Sequence, residues 1–167
     1  MPDLLTHTIV AYVAAARLRR RDLTLVILGT VLPDALSVVP GLVLDWAADV
    51  AGFEVADPIL NAPSVFHAPI PFALFVWLLA LFRPPTQRWR FLVVLSLGGW
   101  LHIGLDFLQF HLSGPSYHPL YPFSSWAWEA AWIGTEDSLV ALPLLVPVGI
   151  AIWSWRRRRE EGSSQGV

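Results

Sequence analysis

The sequence predicts an all-α, integral membrane bundle of four to five transmembrane helices. Of its 167 residues, 55% are hydrophobic and 14% are charged, whereas ordinary soluble domains have about 45–50% apolar and about 25% charged residues. Several stretches are long enough to cross the roughly 30 Å of bilayer hydrocarbon, and basic residues are confined to alternate connections. We expect one transmembrane domain over residues 1–159 and a disordered cytoplasmic tail over residues 160–167.

The apolar stretches define the predicted helices. Four long stretches cover residues 23–44, 65–82, 91–110 and 138–155. A shorter stretch, residues 4–16, precedes them and lacks the basic amino-terminal region of a signal peptide. We therefore expect it to stay in the mature protein, where it spans or half-enters the bilayer.

Arginine placement predicts the orientation of these helices. All 11 basic residues are arginines, and they lie in three groups, within residues 17–21, 83–90 and 156–159. The intervening connections are acidic and contain no arginine. Because basic loops remain cytoplasmic, we expect a multi-pass plasma membrane protein with a cytoplasmic C terminus. A soluble protein with a very apolar core, the alternative, would need no such segregation.

Composition excludes several kinds of site. The chain has no cysteine, which excludes disulfides, thiolate metal sites and cysteine nucleophiles. It has no lysine either, which excludes a Schiff base and a lysine-dependent phosphate loop. The net charge of -2 gives no reason to expect nucleic-acid binding. Any metal must therefore be bound by His, Asp, Glu or backbone oxygen.

The external connection, residues 111–137, is expected to form a re-entrant or interfacial loop. Residues 111–125 are too rich in Pro, Gly and Ser for a continuous helix. Three tryptophans follow within residues 126–132. Aromatic rings with a polar edge partition to the lipid headgroups, so we expect the loop aromatics, including Tyr117, at that level.

Five ionisable residues lie in or beside the apolar stretches, where a charge costs about 2.5–3.5 kcal/mol near the bilayer centre. They are His7, Asp34, His67, His102 and Asp106. Counted from the nearest arginine, all lie about 15–24 Å into the membrane at about 1.5 Å per helical residue. We therefore expect them to converge in the outer half of the bilayer.

His102 and Asp106 form the most informative pair. Their four-residue spacing places them on one helix face, where they can share an ion. Gly98, Gly99 and Gly104 lie beside them, and small residues allow neighbouring membrane helices to approach closely. The structural alternative is a local helix pair that holds a neighbouring residue.

The other polar residues also have structural alternatives. Asp34 follows Pro33, which we expect to break the helix, so Asp34 could cap the following half-helix. His7 could lie in the interface, and His67 could cap its own segment. His118, in the loop, could simply be solvated.

An ordered set of motifs resembles a known family. The motifs are Thr6-His7, Pro33-Asp34, Phe66-His67-Ala68, His102-Ile-Gly-Leu-Asp106 and Pro119-Leu-Tyr-Pro-Phe-Ser124. Over most of the chain, to about Trp132, this set resembles the membrane-bound metal-dependent hydrolase family also called YdjM or DUF457. The chain departs from the family at residues 61–67, where a frequent His-Arg is missing before the retained His67.

The same order of residues is similar to that in zinc-dependent phospholipase C and P1 nuclease. That similarity implies one zinc ion bound by Asp34, His67, His102 and Asp106. It makes His7 and His111 candidate ligands for further ions. Independently of any family, two imidazoles and two carboxylates suit Zn²⁺ or Mn²⁺.

The predicted function is metal-assisted hydrolysis of a lipid or lipid-linked (phospho)ester near the outer membrane face. Asp34 or Asp106 is the expected catalytic base, which takes a proton from the attacking water. The bilayer and its lipids are the expected partners. The alternatives are a transporter or a metal- or proton-binding membrane protein that uses the same cluster, and a structural protein with an inactive site.

Overall fold

The computed structural model describes residues 4–52, 54–56, 62–110, 117–134 and 137–164, which are mostly helical. Five α-helices occur there: α1 (Leu4–Ala14), α2 (Arg20–Ala51), α3 (Pro69–Leu81), α4 (Pro85–Leu108) and α5 (Asp137–Ser164). A short 3-10 helix, Ala62–His67, precedes α3. Strands β1 (Gln109–Phe110) and β2 (Ile133–Gly134) pair in parallel. The predicted all-α class is confirmed.

Two helices, α2 and α4, are long and apolar enough to cross a membrane. Within the most apolar 18-residue windows of these helices, only 28% and 39% of the residues are buried inside the protein. Helices α1 and α3 are apolar but have only 11 and 13 residues, which span about 16–20 Å. The part of the chain that the structure describes thus contains two candidate spans, and a bundle of four to five spans stays a prediction.

The apolar core has two parts, one on each side of α2 and α4. Ala11, Ala15, Leu23 and Val26 join α1 to α2. The other part joins α3 to α4 and consists of Phe72, Val76, Leu95 and Ile103. These residues recur at helical spacing on one face of each helix. Polar residues on the same faces therefore also point into the protein.

The predicted break at Pro33 is wrong, because α2 is continuous through Pro33 and Pro40. An interior proline removes one helical hydrogen bond and costs about 3 kcal/mol or more. Pro33 is nevertheless fully buried, and the packing of this face of α2 holds the helix together. Asp34 therefore lies within a helix and caps none.

Helices α2 and α4 cross with their backbones in contact at two glycines. A Cβ atom at Gly29 would lie 2.1 Å from the Leu95 carbonyl oxygen, and one at Gly98 would lie 2.1 Å from the Val26 carbonyl oxygen. The hydroxyl of Thr30, which is fully buried, lies 3.2 Å from the Gly98 carbonyl oxygen. Close approach at the first of the predicted glycines is thus confirmed.

The other two predicted glycines, Gly99 and Gly104, differ in how closely other atoms approach them. A Cβ atom at Gly99 would lie 1.9 Å from the ring of Phe72 on α3, whereas one at Gly104 would have no atom within 4 Å. The predicted contribution of Gly104 to close helix packing is therefore wrong. The contact at Gly98 turns the face of α4 that carries His102 toward α2, and the contact at Gly99 packs α4 against α3.

Replacing Gly98 with alanine is expected to destabilise the protein by about 1–3 kcal/mol or more, because α4 must move away from the α2 backbone. Gly104→Ala is the matched control on the same helix. It meets no atom and should stabilise α4 by about 0.5–1 kcal/mol. Thermal unfolding in detergent measures both variants. Equal unfolding midpoints would contradict the observed helix crossing.

The last helix is longer than predicted. Helix α5 continues past Arg159 to Ser164. The Arg157 Nε atom donates a hydrogen bond to Glu161 Oε1 at 3.0 Å, one helical turn further on, and such pairs stabilise helices. The helix thus covers residues 160–164 of the tail that the sequence predicts to be disordered, and residues 165–167 lie outside the described part.

The connection after α4 folds back onto the end of that helix. The backbone N–H of Ala130 donates to the Phe107 carbonyl at 2.8 Å, and that of Trp132 donates to the Leu108 carbonyl at 2.9 Å. Several of its aromatic side chains are exposed, with Phe123 83% and Trp132 78% accessible. Such exposure suits the predicted contact with lipid headgroups, which stays a prediction.

Candidate metal centre

The structure brings five of the six predicted metal ligands into one cluster. His7 lies on α1, Asp34 on α2, His67 at the end of the 3-10 helix, and His102 and Asp106 on α4. We call these five residues the His/Asp cluster. His111, the sixth predicted ligand, lies outside the described residues.

The local sequence explains how α4 and the 3-10 helix position their residues of the cluster. Helix α4 buries Leu95, Gly98, His102 and Asp106 along one stripe, because residues three and four apart share a helix face. The 3-10 helix ends at His67, and α3 begins two residues later at a proline, which is favoured in the first turn of a helix. His67 is thereby held at the edge of the crossing between α2 and α4.

Asp106 is the best-enclosed carboxylate of the cluster. Its Oδ1 atom lies 3.1 Å from His7 Nε2, and its Oδ2 atom lies 3.2 Å from His102 Nε2. The His67 Nε2 atom lies 3.8 Å from Asp106 Oδ2. Three imidazoles therefore surround this one carboxylate.

Asp34 contacts two of these imidazoles, those of His67 and His102. Its Oδ1 atom lies 3.1 Å from His67 Nε2, within hydrogen-bond distance, and 3.6 Å from His102 Nε2. The ring of His102 lies between the other two, with centroids 4.4 Å from that of His7 and 5.5 Å from that of His67. His102 is thus the centre of the cluster.

These distances fit a bound divalent ion. Donor atoms at about 2.0–2.2 Å from a tetrahedral or octahedral ion lie about 3.0–3.5 Å from each other. Both carboxylate oxygens of Asp106 and both ring nitrogens of His102 are buried. The 3.2 Å between His102 Nε2 and Asp106 Oδ2 is within the range for two ligands of one ion. The cluster could hold a metal ion.

Two overlapping groups of three ligands are close enough to bind an ion. One consists of His7, His102 and Asp106, and the other of Asp34, His67 and His102. Because one imidazole nitrogen binds only one ion, the shared His102 favours a single ion between the two groups. The donor set of nitrogen and carboxylate oxygen suits Zn²⁺ or Mn²⁺.

The cluster has a closed side and an open side. His7, His102 and Asp106 are at most 1% exposed. By contrast, the side chain of His67 is 19% exposed and that of Asp34 is 11% exposed. The accessible part of the cluster is therefore the pair formed by Asp34 and His67.

Tyr117 lies near the site, and the sequence gives no sign that it is buried within the protein. It is only 8% exposed and packs edge-on against Phe107, with ring centroids 5.5 Å apart; its predicted depth at the lipid headgroups stays a prediction. Burial raises the pKa of its hydroxyl, and the carboxylates of Asp106, Glu129 and Asp34 raise it further. The phenol therefore stays protonated as a hydrogen-bond donor. Its loop has no periodic pattern from which burial could be predicted.

The remaining loop histidine is placed elsewhere. His118 Nδ1 lies 3.0 Å from the carbonyl oxygen of Ser125, within the same loop. This contact agrees with the structural alternative for His118. It makes His118 a useful control for experiments on the cluster.

Comparisons with protein-family models, curated proteins and solved structures found no match to this chain. The resemblance to membrane-bound metal-dependent hydrolases therefore rests on the motifs alone. The function of the cluster has to be inferred from its own geometry and surroundings.

Proposed function

We propose that this protein is a membrane-embedded, metal-dependent hydrolase of a lipid or lipid-linked (phospho)ester. The observation that carries the proposal is the convergence of three imidazoles and two carboxylates, which form two overlapping groups that could hold an ion. Two carboxylates in an apolar interior cost several kcal/mol to bury. A divalent ion offsets that cost, and membership of the resembled hydrolase family is part of the proposal.

The exposure of each carboxylate in the cluster decides its proposed role, as a metal ligand or as a base. When bound, a divalent ion supplies Lewis-acid polarisation of a phosphoryl or acyl oxygen and activation of water. Asp106 lies in the closed part, between His7 and His102, where it serves as a ligand. Asp34 lies at the open side, and its carboxylate can accept a proton from the attacking water.

His67 positions Asp34 for this step. The 3.1 Å contact between His67 Nε2 and Asp34 Oδ1 restricts the carboxylate to one orientation. Of the two predicted catalytic carboxylates, Asp34 is therefore the proposed base, and Asp106 is proposed as a ligand alone.

The surroundings of the cluster favour an amphiphilic substrate. An apolar groove of about 420 Å³ lies between α3 and α4. Pro69 and Trp100 line one end, each two residues from a cluster histidine, and Trp77 and Trp89 also line it. A hydrocarbon chain in this groove would hold the polar part of a lipid at the depth of the cluster.

The proposed location is the plasma membrane, with the C terminus in the cytoplasm and the cluster toward the outer half. The arginine groups support this orientation. The large exposed apolar surface of α2 and α4 supports contact with lipid.

The function is tested with purified, Zn²⁺-loaded protein and a phospholipid in mixed micelles. We expect hydrolysis of the lipid phosphoester, and reaction at least about 100-fold slower with a soluble phosphoester of the same headgroup, which lacks the positioning apolar contacts. Chelation should abolish activity, and Zn²⁺ or Mn²⁺ should restore it. His118→Ala, outside the cluster, should remain active.

A different result would identify the transporter alternative. The hydrolase proposal fails if the metal-loaded protein cleaves nothing in a broad panel of lipid-linked esters. If the same protein in liposomes then carries a metal-ion or proton current that His67→Ala abolishes, the cluster is part of a transport path.

A further inference from the structure

Arginines from both ends of the chain meet around one cavity. The cavity has a volume of about 270 Å³ and lies between the turn that joins α1 to α2 and the later part of α5. Its lining includes five arginines: Arg17, Arg19, Arg20, Arg156 and Arg159. We call it the arginine cavity. The sequence explains these residues only as signals of orientation, whereas the structure places them together.

The arginine cavity is a built feature of the fold. The guanidinium of half-buried Arg156 donates hydrogen bonds to the carbonyl oxygens of Ala16 and Leu18, the latter at 3.1 Å. These contacts tie α5 to the turn after α1 and satisfy backbone oxygens left free at a helix end. The turn that carries Arg17 is thereby held against the helix that carries Arg159.

Two nearby acidic residues, Asp22 and Glu161, form hydrogen bonds with arginines outside the cavity. Asp22 accepts two hydrogen bonds from Arg90, at 2.9 and 2.7 Å. Glu161 accepts one from Arg157 at 3.0 Å. The lining residues themselves include no acidic side chain within the described part of the chain. With five arginines in this lining, the cavity suits an anion.

We propose that the arginine cavity binds the phosphate headgroup of an anionic phospholipid. Guanidinium groups bind phosphate oxygens in a planar, bidentate manner, and basic pockets between membrane helices recognise anionic headgroups. Trp155 also lines the cavity, with the Arg159 guanidinium 5.6 Å from its ring centroid. Because tryptophan is enriched at the membrane–water interface, the ligand is a lipid headgroup and not free phosphate.

The arginine cavity is separate from the His/Asp cluster. Arg17 follows His7 by ten residues, mostly along α1, which is about 15 Å at 1.5 Å per residue. Lipid binding here is therefore independent of the proposed hydrolysis, and either proposal can fail without the other.

The test measures binding of short-chain phosphatidylglycerol to the purified full chain in detergent. Arg17→Gln combined with Arg159→Gln should weaken binding about 25-fold, or about fivefold for each arginine. Arg21→Gln combined with Arg158→Gln is the matched control. It removes the same charge from nearby exposed positions, Arg21 in the first turn of α2 and Arg158 on α5, that do not line the cavity, and should change binding less than about twofold.

Two further ligands distinguish the sources of the phosphate group. Phosphatidylcholine of the same chain length and inorganic phosphate should each bind at least about tenfold more weakly than phosphatidylglycerol. The proposal is overturned if inorganic phosphate binds as tightly, or if both arginine pairs lose affinity equally. Should the cavity double variant fail to fold, Arg159→Gln alone should still lose about fivefold.

Discussion

Alanine at His102 or at Asp106 is expected to remove most of the Zn²⁺ or Mn²⁺ from the purified protein. The native chain should contain about one equivalent, and each variant should bind the ion at least about 100-fold more weakly, since even residues that merely orient ligands contribute about 10–100-fold. His102 belongs to both possible ligand groups, and Asp106 contacts His7 as well as His102. Elemental analysis and chelator competition measure the metal, with His118→Ala as the control.

A double variant tests whether His102 and Asp106 bind the same ion. Because ligands of one ion act as a unit, the combined replacement of His102 and Asp106 should be little worse than either single change. Small losses that simply add would instead show two separate structural roles. Retention of the metal by both single variants would exclude an ion at the cluster.

Asp34→Asn is expected to lower turnover of the lipid phosphoester by about 10²–10⁴-fold, the usual contribution of a general base. The amide retains an oxygen as a ligand but cannot take the proton from water. Asp45→Asn makes the same change at an exposed position on the same helix, and it should leave turnover unchanged. Turnover is measured at saturating lipid and with the metal content of each variant determined.

The metal content of the Asp34→Asn variant distinguishes a role of Asp34 as the base from a role as a metal ligand. If it is the base, turnover per bound ion falls in the asparagine variant, and excess Zn²⁺ does not restore it. If activity falls only in proportion to metal and returns with excess Zn²⁺, Asp34 is a ligand and another group accepts the proton.

The helices were largely predictable, because each reflects a local run of apolar residues. The stretch predicted over residues 91–110 appears as α4, Pro85–Leu108, which begins earlier because a proline favours the first helical turn. The stretch over residues 65–82 is shortened to α3, Pro69–Leu81, with its first residues in a 3-10 helix. Pro33 misled the prediction, since tertiary packing keeps α2 intact through it.

The cluster was predictable for a similar reason. A charged or imidazole side chain is costly in an apolar segment, so the few that occur there are expected to have partners. Counting residues from the arginines placed all five at comparable depth. That reasoning required no knowledge of which helices are neighbours.

What the sequence by itself determined is therefore the helical class, most of the helical segments and the five residues of the His/Asp cluster that lie in the described part of the chain. Only the tertiary structure decided that Asp34 faces the open side, that Tyr117 is buried, and that Arg17 and Arg159 line one cavity. The reason is that hydropathy and spacing report the environment along one helix. The exposure of a side chain, and whether charged residues from distant segments meet, depend on which segments pack together. That packing follows from contacts such as the backbone crossing at Gly29 and Gly98.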